Sequence, residues 1–117
     1  MEKSDRRKTL ERILGELCEG TVIVEGRHDV NALARLRISA IAEGSIERQG
    51  IAPGRTVYLL MDNDRRGEER KERLAARLLE THSDARIDTA LGKRLQRMLN
   101  ITSIEQLCMP VSEALGE

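Results

Sequence analysis

Aromatic side chains are nearly missing from this sequence: one Tyr, no Phe and no Trp among 117 residues. Modules that read single-stranded nucleic acid by stacking bases on aromatic rings cannot be built from such a chain. Long apolar runs are missing too. None approaches the roughly 18–20 residues of a membrane span, and the charged N-terminus lacks the apolar core of a signal peptide. The two cysteines, Cys18 and Cys108, stand 90 positions apart, which makes neither a metal-ligand spacing nor a disulfide framework. The expectation is a reduced, cytoplasmic protein with no membrane partner. Net charge is absent as well, 20 basic residues cancelling 20 acidic ones, which speaks against a polybasic nucleic-acid binder. The length allows one compact domain and leaves little for a second.

Zero is nevertheless a sum of unlike parts. Residues 1–20 hold five charges of each sign, and residues 21–64 hold five basic and six acidic. Residues 65–80 carry six basic against four acidic, and residues 85–99 carry four against one. The last eighteen residues contain three acids and no base. A mixed front, a basic stretch and an acidic tail follow one another.

Hydrophobic spacing organises the chain. Leu10, Ile13, Leu14 and Leu17 fall at i, i+3, i+4 and i+7, which predicts an amphipathic helix over residues 1–19, stopped by Gly20. Thr21-Val22-Ile23-Val24 is a β-branched run suited to a fully buried strand. Val30, Leu33 and Ala34 carry helical spacing, Ile38 to Ala42 is predicted as a second strand, and a loop with Gly50, Pro53 and Gly54 follows. Val57 to Met61 predicts a third strand. A long helix after Gly67, a weak strand at Ala85-Arg86-Ile87, and a helix carrying Leu91, Leu95, Met98 and Leu99 complete the alternation, with Asp88 or Thr89 as its cap. Residues 101–117, with Pro110 and Gly116, read as a loosely attached tail. Continuous apolar strands alternating with helices predict an α/β domain over residues 20–100, a parallel sheet of about four strands covered on both faces. Folds of this kind bind ligands at the C-terminal edge of their strands.

That edge is acidic. Glu25 directly follows strand one, Asp29 falls in the next helical turn, and Asp62 and Asp64 follow strand three. If strands one and three are neighbours, four carboxylates converge, and unpaired carboxylates raise one another's pKa. A hard divalent cation offsets that repulsion, and Mg²⁺ takes few carboxylates while keeping several waters. Such a centre suits phosphate chemistry. Against this stands ordinary turn and cap duty, which Asp29 and Asp64 could equally serve. For Glu25, set between a buried strand and Gly26, a structural duty is harder to find.

The run Glu25-Gly26-Arg27-His28-Asp29-Val30-Asn31-Ala32-Leu33 after one strand and Asp62-Asn63-Asp64-Arg65-Arg66-Gly67 after another resembles the Toprim domain. Topoisomerases, bacterial-type primases, the ribonuclease that matures 5S ribosomal RNA and small stand-alone proteins share that domain. The resemblance covers about residues 20 to 100, and the size is most similar to the stand-alone proteins. It implies a Rossmann-like Toprim fold. It further implies that Glu25 acts as general acid/base or metal ligand and that Asp62 and Asp64 hold Mg²⁺, with Mn²⁺ as a substitute. Gly26 and Gly67 would let the backbone turn tightly beside the site, and Asp29 would support it by hydrogen bonding. Gly44 and Ser45 fall where the family often has a small-residue loop near phosphate. Arg27 and Arg65 sit inside the two motifs and are the first candidates for phosphate contact.

Arg66, Arg70, Arg73 and Arg77 form a stripe on the helix after the aspartates, suited to phosphate contact or to ordinary pairing with Glu68, Glu69 and Glu72. His28, beside acids in a loop, suits a solvated position, and Tyr58 suits the core. Topoisomerases with this domain take their tyrosine from another domain, so strand rejoining is not expected of this chain, nor is primase activity. A phospho-acceptor receiver would need a Lys after a fifth strand, and no fifth strand is predicted. The expected function is Mg²⁺-dependent phosphodiester hydrolysis on RNA or DNA. The alternative is a non-catalytic metal- and nucleic-acid-binding module or subunit. Residues 1–19 could pack on the sheet or pair two chains as a homodimer. Setting aside the four edge acids and the three of the tail leaves thirteen acids against twenty bases. A neutral chain can therefore present a basic surface to phosphates.

Overall fold

The computed structural model describes residues 3–116. Helix α1 (Lys3–Glu19) leads into strand β1 (Thr21–Val24), helix α2 (Arg27–Ala34) and strand β2 (Ala40–Ala42). A 3-10 turn (Glu43–Ser45), a short helix α3 (Ile46–Gln49) and strand β3 (Thr56–Leu60) come next. Helix α4 (Arg65–Thr81), strand β4 (Arg86–Asp88) and helix α5 (Leu91–Leu99) follow, then a second 3-10 turn (Ile104–Gln106) and helix α6 (Cys108–Ala114).

The four strands make one all-parallel sheet in the order β2-β1-β3-β4, the α/β architecture expected. Because alternate residues of a strand face opposite ways, the central strands feed two cores. Val22 and Val24 of β1 and Leu60 of β3 join Leu10, Ile13 and Leu17 of α1, Leu33 of α2, and Leu91, Leu95 and Leu99 of α5. Ile23, Val57, Leu59 and Met61 point the other way, onto Ile46 of α3 and Leu74 and Leu78 of α4. Strands buried on both sides need no polar face, which is why they are continuous apolar runs. No helix among the described residues is long and apolar enough to cross a membrane.

Three local differences from the sequence expectations have physical causes. Strand β2 is shorter than Ile38–Ala42. Arg37 turns the chain in the left-handed region at φ 63°, and the Ile38 N–H closes α2 by donating to the Leu33 carbonyl at 3.0 Å. Residues 46–49, expected as loop, wind into α3, which drops Ile46 into the second core. Helix α4 begins at Arg65, ahead of Gly67, because Asp64 caps it: its Oδ1 accepts from the Gly67 N–H at 2.7 Å.

The largest difference concerns residues 101–117. Through residue 116 they are no loose tail. Ile104, Leu107 and Val111 are 0–1 % exposed and belong to the first core, against α1. The second 3-10 turn opens with a capping box in which Ser103 and Gln106 satisfy each other's backbone. Helix α1 thus packs on its own chain, against α5 and α6.

Candidate functional site

Register places the motif residues together. Val24 pairs with Leu60, so Glu25 and the Met61-Asp62 step leave the sheet side by side at its C-terminal edge. Asp29 occupies the first turn of α2 behind them. Burial raises the Asp29 carboxyl above its ordinary value, and the carboxylates of Asp62, Glu105 and Glu25 push it further up, against a lowering hydrogen bond from the Gly26 backbone.

Glu105 was not expected there. It comes from the second 3-10 turn, whose segment is tied to the β3 end by two hydrogen bonds and to α5 by a third. Asp62 Oδ1 accepts from the Ile104 N–H at 3.0 Å. The Asn63 N–H donates to the Thr102 carbonyl at 2.7 Å. Gln96 Nε2, on a side chain buried in α5, donates to the same carbonyl at 3.1 Å. The Ser-x-x-Gln spacing of Ser103 and Gln106 was the available sign that an ordered turn begins here.

Asp62 and Asp64 each hold one carboxylate oxygen against a backbone N–H, of Ile104 and Gly67 respectively. Gly67 is required by close approach rather than by a turn. A Cβ at this helical position would collide with the Asp62 carbonyl oxygen. Gly26 differs from its expected role: its backbone is extended, and a Cβ there would meet open space. Any residue can adopt that conformation.

Glu25 is the most engaged of the acids. Arg66 Nη2 lies 3.3 Å and Arg70 Nη2 3.5 Å from its Oε1. Arg70 Nη1 lies 3.7 Å from Oε1 of Glu43, the first residue after β2, and Arg77 Nη1 lies 4.0 Å from Glu43 Oε2. Of the arginines expected at phosphate, Arg27 is exposed, and Arg65 is exposed and paired with Glu69 at 3.2 Å. Gly44 and Ser45 form a 3-10 turn in which Ser45 Oγ accepts from Arg48 Nη2 at 3.2 Å. His28 is exposed. Burial, with Glu16 and Asp88 adding to it, pushes the Tyr58 phenol up, and the ring packs on the first core.

The donor chemistry suits a hard divalent cation: Glu25, Asp62 and Asp64 offer carboxylate oxygens, and such an ion would relieve the repulsion that Asp62, Glu105 and Glu25 exert on Asp29. Among the described residues, no three of Asp, Glu, His and Cys already stand as a closed ligand group.

The fold and edge define a parallel-sheet α/β protein with an acidic strand-end site. No protein-family model matches this chain, and no curated protein matches it. In three dimensions it is similar to a solved structure of a protein from Aquifex aeolicus, with a TM-score of 0.64 and 23% identity. The match covers 89% of this chain and 96% of that one. The likeness concerns the fold alone.

Proposed function

We propose that this chain is a Toprim-like, Mg²⁺-dependent phosphodiesterase that acts on RNA or DNA through their phosphates. The observation that carries the reading is geometric: the Val24–Leu60 register sets Glu25 beside the Met61-Asp62 step, Asp29 follows in the first turn of α2, and the Asp62–Ile104 hydrogen bond brings the turn of Glu105 to the same edge. A Mg²⁺ ion held there would supply charge stabilisation at a phosphate and an activated water. Asp62 and Asp64, each with one oxygen fixed on a backbone N–H, would present the other oxygen as ligand. Glu25, at the mouth of β1, would ligate the ion or take the proton from the attacking water at its carboxylate. Asp29 would orient the neighbouring acids. The near-absence of aromatics supports contact through phosphates rather than stacked bases.

Incubation with end-labelled RNA and DNA in Mg²⁺, Mn²⁺ or EDTA tests this reading. Cleavage that needs the ion and falls at least about 100-fold in Glu25→Gln supports it. Equal cleavage by a folded Glu25→Gln protein overturns it.

A second reading, a non-catalytic phosphate-binding module, is favoured by the arginines already seated on Glu25. The same assay would then give binding that weakens steeply with salt and no cleavage in either ion.

A further inference from the structure

The charges between the β1 end and the turn after β2 alternate: Arg66, Glu25, Arg70, Glu43, Arg77. Every contact in this row is 3.3 Å or longer, and the two closest approaches to Glu25 both fall on Oε1. Strong guanidinium–carboxylate pairs are about 2.7–2.9 Å and often forked. Two buried atoms in the row lack any hydrogen-bond partner, Arg70 Nε and Glu43 Oε1. The arginines are thus drawn to Glu25 by charge but poorly matched to it, and most of their N–H donors remain free for another acceptor.

The geometry points to Arg66 and Arg70 as an exchangeable phosphate-binding pair: they cover Glu25 in the free protein and pass to a phosphate of the substrate when a divalent cation takes Glu25. This rests on the metal reading given above. Glu25 carries a single negative charge, too little to hold two guanidinium groups and a dication together. A dication at the acidic edge repels both arginines, and the phosphate that the dication itself attracts can receive the guanidinium groups that leave Glu25, while Glu43 keeps hold of Arg70. The two side chains differ in freedom. Arg66 is 76 % exposed, whereas Arg70 is 27 % exposed and is tethered by Glu43. Arg66 would make the larger swing, and Arg70 would turn about its tether. Cation and phosphate then bind cooperatively, each raising the affinity of the other by the same factor.

Mn²⁺ binding, followed by electron paramagnetic resonance of the free ion, tests the exchange without reference to turnover. The probes are Mn²⁺ alone and Mn²⁺ with a phosphinate-linked dinucleotide, in which methylene groups replace both bridging oxygens so that nothing can be hydrolysed. With Mn²⁺ alone, R66Q/R70Q is expected to bind about fivefold or more tightly than the parent, because the competing cations are gone. The dinucleotide is expected to tighten Mn²⁺ binding to the parent by a similar factor and to have no such effect on R66Q/R70Q. R66Q alone, at the exposed position, is expected to move both quantities in the same directions with little risk to folding. R12Q, at an exposed position on α1 outside the row, is expected to change neither. Unchanged or weaker Mn²⁺ binding in R66Q and R66Q/R70Q overturns the exchange and leaves the metal reading standing. A parent that binds no Mn²⁺ overturns the metal reading and the exchange with it.

Discussion

Asp62 Oδ1 accepts a hydrogen bond from the backbone N–H of Ile104 at 3.0 Å, across 42 residues of chain. A residue expected to serve chemistry at the end of β3 is also the anchor of the C-terminal segment, and that segment returns Glu105 to the site. Asp62→Asn keeps an oxygen acceptor for Ile104 while removing the charge. It is expected to unfold in urea within about 1 kcal/mol of the parent and to lose divalent-ion binding. Asp62→Ala loses both.

Ile104 has no exposed surface and packs with Leu10, Ile13 and Leu17 of α1. Ile104→Ala is expected to cost about 2–4 kcal/mol in urea unfolding, the ordinary loss for a large buried aliphatic side chain. A chain ended at residue 100 loses Leu107 and Val111 too, and is expected to show no cooperative transition. A cooperative transition near the parent midpoint would mean that the segment is dispensable.

Asp64 separates cap from ligand. Serine caps a helix about as well as aspartate, so Asp64→Ser is expected to hold parental stability while Asp64→Ala loses about 1 kcal/mol. Both are expected to lose ion-dependent cleavage. Full cleavage by Asp64→Ser would reduce Asp64 to a structural role.

The two motif glycines are expected to respond differently. Gly67→Ala drives a methyl group into the Asp62 carbonyl and should destabilise by about 3 kcal/mol or more. Gly26→Ala meets open space and should cost less than about 1 kcal/mol. Thermal melting of the two variants side by side checks the contrast.

Asp29 makes stability depend on pH. Its folded-state pKa lies above the ordinary value of 3.8, so within that window the native state holds more protons than the unfolded chain. Stability therefore falls as pH rises from the ordinary value through the folded one, and the loss persists above it. Asp29→Asn is expected to be more stable than the parent near neutral pH. The gain should vanish as pH drops below about 3, where both forms are uncharged. Urea midpoints across that range provide the measurement, and added Mg²⁺ should narrow the gap at neutral pH.

Much of this arrangement was legible in the chain, and the exceptions share a cause. Strands β1 and β3 were readable because burial on both faces leaves Val22, Ile23, Val24, Val57, Leu59 and Leu60 no polar alternation to obey. Their acids followed at once, since an acid after a buried strand must lie at the sheet edge. Ile104, Leu107 and Val111 carried helical spacing as well, but Pro110 spoke for a break. It stands in the first turn of α6, where a missing N–H costs nothing. Helix α3 spans a single turn, too short for any periodicity to register. The arginine stripe was visible, yet its partners were not. Glu25 and Glu43 lie 41 and 27 residues from Arg66 and Arg70, and only the fold brings them together.

The latch between Asp62 and Ile104 also orders events in time. On a ribosome, a chain that has emerged through the start of α4 already owns Glu25, Asp29, Asp62 and Asp64. It lacks the backbone donor that fixes Asp62 and the leucine and valine that close the first core. Domains fold as units once their elements are out, so the acidic edge takes its working shape only after residues 104–111 have docked. An incomplete chain carries the motif residues without the contacts that fix them.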